Sequence, residues 1–92
     1  MTRHRWTLPG EVLIVADSSL AYVRFGPARS RRTSFVVRTL EELARAESAA
    51  TRLLAPEHRP LAIRTLGDAW ERHIDEACAA IEARAEPHDN AA

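Results

Sequence analysis

At Thr39 the chain changes period, and that change limits its architecture. Before it, apolar residues come in short runs rich in β-branched side chains: EVLIVA (11–16), LAYVRF (20–25) and TSFVVR (33–38). Beyond it they recur at helical spacing, with Leu40, Leu43, Ala46, Ala50, Leu53 and Leu54 on one stripe. The TLEE stretch marks the boundary. Thr39 can accept from the amide of Glu42 while Glu42 reaches back, the reciprocal pattern that opens a helix, and Pro56 closes it. Glu41 and Arg45, four apart in the favourable order, support the same helix.

The three runs are joined closely enough to predict an antiparallel β-meander, with DSS (17–19) as one turn and RFGPARSRRTS (24–34) spanning the next. The stretch HRPLAIRTLGDAWERHIDEACAAIEARA admits two readings. Either a helix starts at Pro60 and runs through Gly67, which costs about 1 kcal/mol relative to Ala. Or PLAIR (60–64) is a short fourth strand, and Thr65 caps a helix with Asp68 in its first turn; the second reading is preferred. Leu66, Trp70, Ile74 or His73, Ala77 and Ile81 then form the helix stripe, with Cys78 beside it. The expected fold is α+β: a three-stranded antiparallel meander followed by two helices, with residues 60–64 as a candidate fourth strand. Its 92 residues predict one small domain, with 1–10 and 87–92 as flexible ends.

Alternation along these strands leaves both sheet faces apolar: Val12, Ile14 and Ala16 on one side, Leu13 and Val15 on the other. Two helices cover one face of so small a sheet. The other predicts a second cover, most simply another copy of the chain, giving a homodimer through the sheet or its edge. Trp70 reads as a core anchor, and Trp6 as exposed or packed across that dimer.

Charge is balanced overall but not along the chain. All thirteen basic residues are arginine; residues 1–40 hold seven of them against Glu11 and Asp17, net +5, and residues 41–92 hold six against eleven acids, net −5. Such polarity suits a nucleic acid at one pole or a charge-matched protein. Arg24, Arg29, Arg31, Arg32 and Arg38, with Arg3 and Arg5, are the candidate contacts, either a phosphate grip or a protein-binding surface. One cysteine, Cys78, permits no internal disulfide and points to a reducing compartment. The run VLIVA is too short for a signal-peptide core or a membrane span, so the expected location is the cytoplasm.

Reaction chemistry finds little support. His4, His58, His73 and His88 are scattered without metal-ligand spacing, and no P-loop, GxGxxG or GxSxG motif is present, so neither a metal nor a cofactor is expected. Asp17, Glu47 and Asp68, in a strand-strand-strand-helix-strand order, resemble the metal-binding acids of a minimal ribonuclease-H-like nuclease. Leu66 stands where that family places its third acid, with Asp68 two residues late. IVADSSLAYVRF and VVRTLEELARAESAATRLL are similar to the first hairpin and the strand-to-helix passage of HicAB-type antitoxins, over about residues 11–54. That resemblance implies a truncated ribonuclease-H-like domain without catalysis that binds and occludes a partner. The expected function is therefore a binding module that occupies or inhibits a protein or nucleoprotein. A DNA- or RNA-binding regulator using the arginine-rich loop and a reduced metal-dependent nuclease are the alternatives.

Overall fold

A computed structural model of the chain describes residues 3–27 and 32–89, the last five of these as backbone only. Four strands form one antiparallel sheet in the order β1 (His4–Leu8), β2 (Val12–Ala16), β3 (Ala21–Phe25) and β4 (Ser34–Val37). Helix α1 (Leu40–Leu53), a single 3₁₀ turn (Pro56–His58) and helix α2 (Arg59–Asp89) follow. The α+β meander and its two helices thus stand as expected, but the fourth strand lies at the other end of the chain.

Residues 60–64 are helical. Pro60 falls in the first turn of α2, where its missing N–H costs nothing. The buried stripe then runs Ala62, Leu66, Ala69 and His73, a helical spacing that passes straight over Gly67. Leu61 and Ile63, which a strand would have placed together on one face, are only half-buried. The added strand is β1, inside the segment expected to be flexible. Its burial alternates along HRWTL, with Trp6 and Leu8 packed against the core and Arg5 and Thr7 exposed. Pro9 and Gly10 are therefore the turn of a hairpin between β1 and β2, not a break before the first strand. Gly10 sits at φ +87° and Glu11 at +61°, the left-handed backbone that reverses the chain there.

One sheet face is dry. Val12, Ile14, Ala16, Ala21, Val23, Phe25 and Val37 project from it onto the helices, and four of them (Val12, Ile14, Val23 and Val37) are among the largest fully buried side chains. Each contributes about 1.5–3 kcal/mol on burial. Against them lie Ala46, Ala49 and Ala50 of α1 and Ala62 and Ala69 of α2. These short side chains let both helix axes approach the sheet closely, α1 over β4 and β3, α2 over β2, β1 and β3. Leu40 and Leu53, expected on the buried stripe of α1, are exposed, and Ala49 takes the place that the spacing did not assign.

Thr39 caps α1 as the sequence requires, accepting from the Glu42 amide at 3.1 Å. The return bond differs from the expected one: Glu42 Oε1 accepts from the Arg38 amide at 2.8 Å, one residue before the cap. Arg45 and Glu41 pair at 3.3 Å on the exposed side. Trp6 is half-buried within the fold rather than exposed, and Cys78 lies exposed on α2. No helix among the described residues is long and apolar enough to cross a membrane.

Candidate partner-binding face

The strands that bury one side of the sheet present the other with no helix of the described residues over it. Register places Arg5, Val15, Tyr22 and Val36 in one row across the four strands, and Thr7, Leu13, Arg24 and Ser34 in the next. The centre is apolar. Leu13, Val15 and Tyr22 are half-buried by their neighbours, and Val36 is 41% exposed. Arg3, Arg5 and Arg24 surround Leu13, Val15, Leu20 and Tyr22 in an open concavity of about 340 Å³.

Local bonds set two of these guanidinium groups. Arg24 Nε donates to the Gly26 carbonyl at 3.0 Å, which holds the side chain along β3 towards the turn, where Gly26 adopts φ +96°. Arg3 reaches Asp17 Oδ2 at 3.7 Å across the end of the sheet. No strand of this face contributes an acid; Glu11 stands at the β1–β2 turn, and Asp17 is engaged at the opposite end. The acids of the second half of the chain lie on the helices. Among the described residues the strands thus carry arginine and no acid, while most of the acids stand on the helices, so the sheet side is the more basic and the helix side the more acidic.

Asp17 serves the turn. Its Oδ1 accepts from the amides of Ser19 at 2.7 Å and Leu20 at 3.1 Å. The Ser19 amide is the largest influence holding its carboxyl below the ordinary value; burial opposes it, and the Leu20 amide, Arg3 and His73 add to it. His73, buried in α2, donates from Nδ1 to the Asp17 carbonyl at 2.9 Å and ties this turn to the helix. His4 Nε2 pairs with the Glu76 carboxylate, fastening β1 to α2. Neither link was visible in the sequence, because 56 and 72 residues separate the partners.

Of the arginines picked out by sequence, Arg24 is on the uncovered face, and Arg38 is exposed two residues beyond Val36, just past the end of β4. Arg32 is exposed immediately before β4, whereas Arg29 and Arg31 lie outside the described residues. Asp17, Glu47 and Asp68 sit on a turn, on α1 and on α2, and among the described residues no three His, Cys, Asp or Glu side chains gather as metal ligands would. The face that sequence reasoning undervalued is the row through Arg5, Val15, Tyr22 and Val36. Its signal was the alternation in RWTL beyond the Pro-Gly turn, which adds the strand bearing Arg5.

The chemistry on offer is contact chemistry. Guanidinium groups donate forked hydrogen bonds to carboxylates or phosphates, and Tyr22 presents a ring with a polar tip beside aliphatic side chains. Comparison of the chain with protein-family models, with curated proteins and with solved structures finds no match.

Proposed function

We propose that the protein is a non-enzymatic binding module that occupies an acidic protein or nucleoprotein partner through the uncovered sheet face. The observation that carries this reading is the arrangement of that face: an apolar centre of Leu13, Val15, Tyr22 and Val36 flanked by Arg3, Arg5 and Arg24. Partner-binding surfaces favour a desolvated apolar and aromatic centre with arginine around it. The resemblance of residues 11–54 to HicAB-type antitoxins leads to the same class, a small domain that works by covering another molecule.

The test is a partner identified in the native host and reconstituted from purified components with wild type and with an R5E/V36E variant. Both positions are exposed, so the variant keeps its fold, which circular dichroism checks. A stoichiometric complex lost in the variant supports the reading. A partner that binds both proteins equally refutes it.

Nucleic acid is the second reading, favoured by the clustering of Arg3, Arg5 and Arg24 around Tyr22. Fluorescence polarisation with short single-stranded RNA and duplex DNA, at low and physiological salt, tests it. Salt-sensitive binding weakened by R5A/R24A, and further by R29A/R31A/R32A, would promote it. No binding at low salt would remove it.

A further inference from the structure

The sheet ends at β4 in an open edge. The order β1-β2-β3-β4 pairs β4 on one side, and no strand of the described residues lies on the other. The Phe25 amide donates to the Thr33 carbonyl at 2.8 Å, which fixes the phase of the β3–β4 ladder. Phe35 and Val37 therefore turn their peptide groups towards Val23 and Ala21, while Ser34 and Val36 turn theirs outward. Among the described residues, nothing pairs with the outward groups of Ser34 and Val36. The next outward amide, that of Arg38, is already taken by Glu42 Oε1 at 2.8 Å. A short row of N–H and C=O groups is left, the template to which an extended chain adds.

A groove lies beside this edge on the helix side. Phe35 forms one wall, its ring set edge-on against Phe25 with centroids 6.0 Å apart. Glu41, Ala44, Arg45, Ser48 and Arg52, along one side of α1, form the other, around a volume of about 430 Å³. Arg45 is held by Glu41, whereas Arg52 is exposed and has no ion-pair partner among the described residues. Arg32 and Arg38 stand exposed at the two ends of β4. Positive charge thus brackets the open edge.

We propose that the β4 edge takes up an extended acidic segment of a partner protein as a fifth strand, antiparallel like the other four. The outward groups set the register. The segment's central residue lies opposite Phe35 and projects into the groove, its two neighbours bond to Val36 and Ser34, and acids at its ends meet Arg38 and Arg32. Charge decides between this occupant and a second copy. Two β4 edges bonded through both Ser34 and Val36 would carry Arg38 of each chain towards Arg32 of the other, twice, like charge on like. An acidic strand turns the same positions into ion pairs. The edge offers backbone groups rather than the side chains of the uncovered face, so this proposal stands or falls separately from the sheet-face reading.

The test is fluorescence polarisation of a fluorescein-labelled heptapeptide, EVEVEVE, titrated with the full chain to ~500 μM. Saturable binding is expected, and none for KVKVKVK. N-methylation of the third and fifth residues, whose amides would face β4, should weaken binding ~10-fold or more, since each methyl removes a donor. N-methylation of the second and fourth, whose amides face away, should leave affinity within ~2-fold. R38E/R52E, with both positions exposed and the fold checked by circular dichroism, should weaken binding ~5-fold or more. No saturable binding of EVEVEVE overturns the proposal, as do equal losses from the two methylation patterns or an R38E/R52E variant that binds like wild type. Binding indifferent to either methylation pattern would rest on side chains alone, as on the uncovered face, and overturns strand addition.

Discussion

Gly67 lies in the middle of the packed part of α2, and replacing it with alanine should stabilise the protein. A Cβ built there meets no atom of the described residues within 4 Å apart from its chain neighbours and its own helix backbone, and the backbone is ordinary right-handed helix. Nothing opposes the gain from removing a residue that is freer than any other in the unfolded chain, which amounts to about 0.8–1 kcal/mol in a helix interior. With an unfolding entropy near 2.1 cal/mol/K per residue, about 1 kcal/mol raises the midpoint of a chain this size by roughly 5 °C. Thermal unfolding followed by circular dichroism at 222 nm, with urea unfolding alongside, measures both quantities. The result also separates the two readings of residues 60–67. Were PLAIR a strand and Thr65 a cap, position 67 would be in a first helical turn and alanine would gain little. An unchanged or lowered midpoint would refute the continuous helix, or show that a side chain at 67 meets something outside this chain.

Three further outcomes follow from local geometry. Gly10→Ala should cost about 1–2 kcal/mol, because φ is +87° and the new Cβ would stand 3.1 Å from the His58 ring; an unchanged urea midpoint would count against the β1–β2 hairpin. Asp17→Asn should destabilise the protein at neutral pH, and the deficit should close as pH falls. The folded carboxyl titrates below its unfolded value of about 3.9, so its contribution is complete above that pH and disappears through the lower folded value; urea unfolding from pH 7 to 3 would refute this if the gap widened in acid. Ser34→Ala should be neutral or stabilising by a few tenths of a kcal/mol, since Ser34 Oγ is buried with no hydrogen-bond partner among the described residues; a loss above about 1 kcal/mol would mean that the hydroxyl has a partner.

The boundary between sheet and helices was legible at Thr39 because capping and periodicity are local properties. So were β2, β3 and β4, whose β-branched runs state their own alternation, and the apolar character of both sheet faces. The N-terminal strand was harder. HRWTL holds only two large apolar residues, and its register comes from β2, to which every residue of β1 is paired. Residues 60–64 misled for the converse reason: a short apolar run reads as strand or helix until something is packed beneath it. The sheet beneath it selects Ala62 and Leu66, four residues apart, and so the helix. Arg24 and Arg38 were found as charges, but only pairing across four strands set Arg5 in a row with Tyr22.

What the chain determined alone is what depends on neighbours within a few positions: the helix cap at Thr39, the turn at Asp17, the strand alternation and the unequal charge of its halves. Tertiary structure decided what depends on distant partners. It set His73 rather than Ile74 against the sheet, fastened β1 to α2 through His4 and Glu76, and left one sheet face and the end of α2 uncovered. Burial is a property of the whole arrangement, since two helices can cover only one side of a four-stranded sheet.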